Sequence, residues 1–495
     1  MKSLRVISRT SVMRYKDTQK SIPEIGDELG VATILEGSVL SAGGQINFNA
    51  QLIDADSDEH LWAETYNRAL TLENIFALQR ELAERIAGAL SATLLPEEAS
   101  EIETPPTDDL EAYNYYLQGN KYFNLGPRSE DFEISFQMYQ RAVELDPSFA
   151  LAYAKMALAY GQLYQGGGER TQEVLDKARE AVDRAFQFDP DLAEAHLALG
   201  QWYYAGYRDY DRAMDHLNRA QAANLQSVDL YHLLGAVQRR KADFAGSIAS
   251  FEEMVRLDPL SAHFAEDLGT TYWRIGEYEK AEAEFERGIS LAPDLISAYD
   301  WKADLYYTWD GDTRRARETL ARTDTTQGGP QWQLYRFDLA DGDFEQALKR
   351  RPAQNDHFWR ARALSLMGRQ DEARAFYDSS LVESLPDLEE NPDDMGLRFE
   401  VAFAHAAFGR VEDAIREAEE AARRWPASRD ALAGPRALFS LAQIYTIVGE
   451  HDRAIDTLEE LLHQSPGYTR ARLRIDPLLR PLHGNPRFMA LTGDG

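Results

Sequence analysis

Residues 231–259 read YHLLGAVQRRKADFAGSIASFEEMVRLDP, and 34 positions on, residues 265–293 read AEDLGTTYWRIGEYEKAEAEFERGISLAP. Laid over one another, Tyr231, Leu234, Gly235, Ser247, Phe251, Met254 and Pro259 fall on Ala265, Leu268, Gly269, Ala281, Phe285, Gly288 and Pro293. Each shared position has a mechanical reason. Leu and the small residue after it lie on one face of a first helix, where the small side chain lets a second helix approach closely. Ser or Ala, the aromatic, and Met or Gly, spaced by four and three, form the facing stripe of that second helix. Pro cannot continue a helix interior, so it closes the unit. The repeat predicts antiparallel helix pairs, each too small to bury its apolar face alone.

This 34-residue pattern is the tetratricopeptide signature, and it extends in both directions. Upstream it is met by Gly119, Tyr122, Tyr139, Ala142 and Pro147, by Ala157, Tyr160, Ala178 and Pro190, and by Leu199, Gly200, Ala213, Leu217 and Ala220. The first two of these units carry insertions, at 126–133 and 165–171. Downstream come Ala303, Tyr306 and Ala316, a degenerate stretch from Gln331 to Leu348, then Ala361, Gly368, Ala373 and Tyr377. Ala402, Gly409, Ala414, Ala418 and Pro426 follow, and then Leu441, Ala442, Tyr445, Gly449, Ala454 and Pro466. The expected architecture is mainly α, a superhelical solenoid of about nine or ten hairpins over 112–470. Splits are expected near 325–335 and at the acidic loop Pro386 to Asp394. A tail over 471–495 completes the chain.

The chain has 495 residues, no cysteine, and 53 Lys plus Arg against 83 Asp plus Glu, a net charge of −30. Lack of cysteine removes disulfides, thiolate metal sites and cysteine nucleophiles together. Acidity argues against a nucleic-acid or anionic-membrane surface, since both attract clustered Lys and Arg. Residues 1–100 carry 9 basic and 15 acidic side chains, which leaves −24 for the other 395. The charge is spread evenly, as the solvated outer faces of many helices require. No apolar run approaches the roughly 20 residues that span a bilayer. The composition names no compartment: cytoplasmic for the chain as it stands, periplasmic if a membrane span precedes it.

Residues 4–65 follow a different grammar. Leu4 to Ser8 reads as a strand, Ile22 to Gly30 as a short helix stopped by Gly, and Thr33 to Leu40 with Ile46 to Asp54 as strands joined by the turn Ala42-Gly43-Gly44-Gln45. A turn at Asp56 to Glu59 leads to the strand His60 to Asn67. Leu72 to Leu95 is an amphipathic helix, and 96–111 a charged, Pro-containing linker. Leu4 to Val12, Leu35-Glu36-Gly37-Ser38-Val39, Gln51 to Ala55, Asp58 to Tyr66 and Ile75 to Gln79 closely resemble the domain related to the TolB amino-terminal domain. Leu473 to Pro477 and Pro486-Arg487-Phe488 resemble the usual close of tetratricopeptide proteins that carry it. The resemblance implies a bacterial protein in which this domain, over 1–95, precedes the repeats, often downstream of an adenylate cyclase, protein kinase or winged-helix domain. Relatives begin with a further strand and helix. The expectation is thus a truncated domain, or one completed by another molecule, with an unpaired strand edge near Val6.

No catalytic signature is present: no GxSxG, kinase catalytic loop, Walker A or HExxH. Asp54, Asp56 and Asp58 have the opening spacing of a calcium loop, but Glu59 stands where Gly is required and Thr65 where the closing Glu belongs, so a solvated turn is expected. Gly166-Gly167-Gly168 lacks the Lys and Ser/Thr of a phosphate loop. Neither metal nor cofactor is expected. What remains is binding by the first helices of the hairpins, which line the concave side. Side chains there that the packing code leaves over are Tyr204, His232, Arg239, Arg240, Trp273, Arg274, Asp304 and Tyr307. Arg and aromatics in an acidic chain suit carboxylates and peptide side chains. The competing reading has Trp273 and Tyr307 packing on neighbouring helices and the Arg pairing with nearby acids. The Asn that chaperone-binding relatives use to clamp a terminal carboxylate is replaced by Ala236 and Thr270. The expected function is a non-catalytic scaffold for a peptide or protein partner. The alternative is the sensory or regulatory half of a signalling protein whose output domain, an adenylate cyclase, kinase or transcription regulator, is absent from this chain. Under the scaffold reading the amino-terminal domain is a sensing or assembly module, a route to oligomerisation.

Overall fold

The structure, a computed structural model, describes residues 6–90, 105–124, 129–166, 170–323, 330–351 and 356–493. The chain divides into two compact units. One comprises residues 1–237 with 253–260, the other 238–252 with 261–495.

The first unit opens with α1 (Arg9–Val12) and α2 (Ile22–Leu29). Ser21 and Glu24 cap α2 reciprocally, and Gly30 ends it in the left-handed conformation at φ 62°, as expected for a Gly stop. Strands β1 (Thr33–Ala42), β2 (Gln45–Asp54) and β3 (His60–Ala69) form an antiparallel sheet in the order β1-β2-β3. The β1–β2 turn has φ of 61° and 74° at Gly43 and Gly44, the paired positive values that a two-residue hairpin demands. β2 contributes Ile46, Ala50, Leu52 and Ile53 to the core, whereas Val39 and Leu40 of β1 are exposed. Helix α3 (Leu72–Ala89) follows; the rest of the expected helix to Leu95 lies outside the described residues.

The expected first strand is not formed at Val6 to Ser8; Leu4 and Arg5 lie outside the described residues. Instead the Ser8 N–H donates to the Leu257 carbonyl at 2.7 Å. The Ser11 hydroxyl donates to the buried Asp258 and accepts from the Leu260 N–H at 3.2 Å. Ser8 and Ser11 thus find hydrogen bonds on the repeats rather than on the sheet.

Ten helical hairpins follow among the described residues. The first unit holds α4 (Leu110–Phe123) with α5 (Ser129–Leu145), α6 (Ala150–Gly166) with α7 (Gln172–Phe188), and α8 (Ala193–Trp202) with α9 (Tyr210–Ala222). The hairpin α10 (Val228–Arg240) with α11 (Phe244–Leu257) carries the division between units. The second unit continues with α12 (Ala262–Arg274) and α13 (Tyr278–Leu291), α14 (Ile296–Trp309) and α15 (Thr313–Leu320), then α16 (Gln331–Asp341) and α17 (Phe344–Lys349). After these come α18 (His357–Leu366) and α19 (Gln370–Glu390), α20 (Met395–Ala407) and α21 (Val411–Arg424), and α22 (Ala433–Ile447) and α23 (His451–Gln464). Short helices α24 (Arg470–Ile475) and α25 (Pro486–Thr492) flank a 3-10 turn, Pro477–Leu482.

The degenerate stretch is thus itself a hairpin, and the expected acidic loop is helical as far as Glu390 with Pro386 inside it. Pro386 deprives the Val382 carbonyl of its helical donor, but Val382 is 74% exposed, so water replaces the bond. The packing code operates as read. A Cβ on Gly269 would stand 2.7 Å from the Phe285 ring, and one on Gly200 would stand 2.8 Å from Leu217. Phe285, Leu217, Ala213 and Ala220 are fully buried. At these two positions the missing side chain makes room for the Phe285 ring and for Leu217, whose burial supplies roughly 1.5–3 kcal/mol each.

Candidate functional site

In the second unit the first helices of four successive hairpins, α12, α14, α16 and α18, present one face to a common cavity of about 390 Å³. Helical spacing explains which residues reach it. Trp301, Asp304 and Thr308 recur at three and four on α14; Trp332, Tyr335, Arg336 and Leu339 do so on α16; Trp359 and Arg362 follow on α18. Trp273 and Arg274 end α12. The other wall comes from the end of the chain: Arg436, Phe439 and Gln443 of α22, then Gly467, Tyr468, Arg472 and Asp476.

That wall is fastened to the helices it faces. The Tyr278 hydroxyl donates to the Pro466 carbonyl at 2.7 Å, the Thr469 hydroxyl to the Thr308 carbonyl, and Arg480 to the Ala340 carbonyl at 3.1 Å. Gly467 sits in close approach, since a Cβ there would lie 3.3 Å from the Arg274 Cα. Asp476 is buried, accepts two bonds from the Gln443 amide at 3.1 Å each, and pairs with Arg472 at 3.0 Å.

Five guanidiniums and two carboxylates line the cavity, and both carboxylates are engaged. Arg336 donates to both oxygens of Asp304 at 2.8 and 2.9 Å and lies over the Tyr307 ring. Arg472 is held by Asp476 and lies between the Tyr307 and Phe439 rings. Arg274, Arg362 and Arg436 make no ion pair among the described residues. Arg274 lies over Trp273, and Arg362 over Trp359 and Phe403. Burial, with the like-charged Arg239 and Arg436 nearby, pushes the Arg274 pKa down. Trp273 is 6% exposed, and its indole N–H meets no acceptor among the described residues. The aromatic walls are closely packed, with Trp332 and Trp359 edge-to-face at 4.4 Å and Trp273 and Trp301 at 6.3 Å.

Of the sequence candidates, Trp273, Arg274, Asp304 and Tyr307 line this cavity. Arg239 and Arg240 are taken up internally. Arg239 donates to Thr270 Oγ1 at 2.7 Å, Thr271 Oγ1 at 3.1 Å and Asp267 at 3.2–3.3 Å; Arg240 pairs with the fully buried Asp430 at 2.7 Å. Tyr204 and His232 belong to the first unit. Tyr204 lies in a π-helical turn with its ring 6.1 Å from Tyr210, and His232 is half-buried on α10. The candidates omitted Trp301, Trp332, Trp359, Arg336, Arg362, Arg436 and Arg472. One signal was available, a Trp on each first helix at 273, 301, 332 and 359. The degenerate register at 331–348 hid it, and the return of the tail is not local to any motif.

At the turn after β2, Asp54 Oδ1 accepts from the Ser57 N–H at 2.9 Å and the Asp56 N–H at 3.2 Å, which holds its pKa down without a metal. Among the described residues no group of three or more His, Asp or Glu stands placed to hold a metal ion, and no helix is long and apolar enough to cross a membrane.

A family model described as tetratricopeptide repeat matches residues 233–296, 331–394 and 402–469. A relative from Rhizobium meliloti (strain 1021), named putative adenylate cyclase 3, is 34% identical over 200 residues, 40% of this chain and 33% of its own length. Superkiller protein 3 of Schizosaccharomyces pombe is 25% identical over 198 residues, 38% of this chain and 13% of its own length. The chain spans a third or less of the length of these two relatives. Among solved structures, YrrB, titled a TPR protein with an unusual peptide-binding site, aligns at 19% identity and a TM-score of 0.30, over 43% of this chain and 96% of that one. The matched stretches, the 34-residue register and the helical hairpins of each unit together give this chain the fold of a tetratricopeptide-repeat solenoid.

Proposed function

We propose that the chain is a non-catalytic protein–protein interaction scaffold whose second unit takes part of a peptide or protein partner into the cavity beneath Trp273, Trp301, Trp332 and Trp359. The observation that carries this reading is the charge of the site. Among the described residues, three guanidiniums without carboxylate partners line a cavity walled by aromatic rings, in a chain of net charge −30, a pairing of residue types that concentrates binding energy at interfaces. Arg274→Glu tests it, with the full chain as bait and the captured protein identified by mass spectrometry. A partner retained by the wild type and lost by the variant, at unchanged melting temperature, supports the reading. A partner captured equally by both counts against this cavity. Arg239→Glu is not a fair companion, because it would leave Thr270, Thr271 and Asp267 facing a carboxylate.

A second reading, in which these repeats are the regulatory half of a signalling protein and residues 1–95 are a TolB-like module, is favoured by the relative named an adenylate cyclase. Sequencing the open frame around the coding region tests it: cyclase, kinase or winged-helix motifs in the same frame support it, and a stop codon directly upstream of Met1 sinks it.

A further inference from the structure

The same cavity has features that select among partners. Elsewhere in the second unit, several guanidiniums are neutralised within the array: Arg350 and Arg317 by Asp338, Arg398 by Glu417, and Arg240 by Asp430. Among the described residues Arg274, Arg362 and Arg436 find no such carboxylate, and all three line one cavity. A buried polar group without a partner costs on the order of 1–3 kcal/mol, and the Trp273 indole N–H is such a group, a donor in a residue 6% exposed. Cations and an idle donor call for the same thing, an anionic acceptor. The walls between them are flat rings, Trp301, Trp332 and Trp359, which favour another ring stacked or edge-on.

Size limits the occupant further. The cavity holds about 390 Å³, near the lower end of the roughly 300–1,000 Å³ that enclose small ligands. A partner helix, about 10 Å wide with 5.4 Å of rise per turn, would fill it with a single turn. A nucleic acid is disfavoured for another reason, since each added phosphate would meet the field of a chain with net charge −30. A single negative group can be accepted where a polyanion is repelled.

We infer that the cavity receives a short partner segment in which one carboxylate stands beside an aromatic side chain, with the carboxylate on Arg274, Arg362 and Arg436 and the ring among the tryptophans. The inference rests on the scaffold reading and specifies its ligand. The carboxylate has two sources, an acidic side chain or a chain end, and the guanidiniums treat them alike.

Random peptide libraries displayed with free and with blocked carboxy termini, panned on the full chain, test it. The expected result is enrichment of peptides with Asp, Glu or a free terminus within about two residues of Phe, Tyr or Trp, a spacing set by the cavity's size. Because four of the eight tryptophans line the cavity, such a peptide should change tryptophan emission. Loss of binding on amidating the terminus assigns the carboxylate to the chain end; loss on Glu→Gln in the peptide assigns it to a side chain. Arg436→Gln, at the exposed rim, should fold as the wild type and weaken binding by about tenfold, and the triple change with Arg274→Gln and Arg362→Gln by about a hundredfold or more. Enriched peptides without a carboxylate, equal binding by Arg436→Gln and the triple variant, or a preference for an oligonucleotide would overturn the inference and leave the scaffold reading standing. Enrichment of no peptide at all would overturn both.

Discussion

The two units use one packing code and opposite electrostatics. In the first, burial opposes the Lys155 ammonium of α6, but Asp229, Tyr116 and Glu194 outweigh it and its pKa rises. In the second, among the described residues, the five cavity guanidiniums have two carboxylates between them, and three remain over. Gly200 against Leu217 in one unit and Gly269 against Phe285 in the other obey the same steric rule. Repeat packing therefore does not dictate what the inner face binds. The positions that packing leaves free carry that information, and here they differ.

The shared half of this comparison breaks most visibly at the packing positions. Leu217→Ala in the first unit should cost roughly 2–5 kcal/mol and Phe285→Ala in the second roughly 3–5 kcal/mol, both read from urea unfolding. A cost below about 1 kcal/mol at either site would mean that the two arrays are not held by one code. The electrostatic half breaks at Asp476. Asp476→Ala strands the buried Arg472, a loss of about 3–5 kcal/mol, and should release the tail from α14 and α16. Faster amide exchange over 466–482 with unchanged protection in the first unit is the expected outcome.

Acid and base sharpen the comparison with smaller effects. Burial, with Asp304 and Glu266 nearby, pushes the Asp300 carboxyl of the second unit from 3.8 up to about 7. The folded chain holds that proton more tightly than the unfolded one. The contribution is therefore complete below pH 4 and is lost as the pH rises to 7. Asp300→Asn should raise stability by about 2–4 kcal/mol at pH 8 and change little at pH 4. Burial and the neighbouring His196 push His216 of the first unit from 6.5 down to about 4. Its contribution runs the other way, present above pH 6.5 and lost as the pH falls towards 4. His216→Gln should thus gain about 1–2 kcal/mol on the wild type between pH 7.5 and pH 5. Parallel pH responses of the two variants would refute the opposed assignment.

Much of the fold was legible because its cause is local. Leu234-Gly235 and Leu268-Gly269 announce a close helix approach, and Gly43-Gly44 announces a two-residue turn; each rests on sterics within one unit. Val6 to Ser8 misled because strand propensity is weak beside tertiary hydrogen bonding, and here the partner is Leu257, some 250 residues away. Pro386 misled because a Pro inside a helix is tolerated where the freed carbonyl meets solvent. Half of the named inner-face residues fall on the candidate cavity. Trp273, Arg274, Asp304 and Tyr307 were reached by counting from the small residue of each repeat, whereas Arg239 met the same count and serves the array.

By itself the sequence determined that helices pair at a 34-residue period, which positions they bury, and that no familiar catalytic motif stands in the chain, because each depends on side-chain size and order over a few tens of residues. Tertiary structure alone decided which left-over side chains meet. Residues 436–477 return to the faces of α12, α14, α16 and α18, and only that return encloses a cavity and shows which guanidiniums are neutralised. Charge balance at a point in space depends on every element that reaches the point, and no spacing along the chain records it.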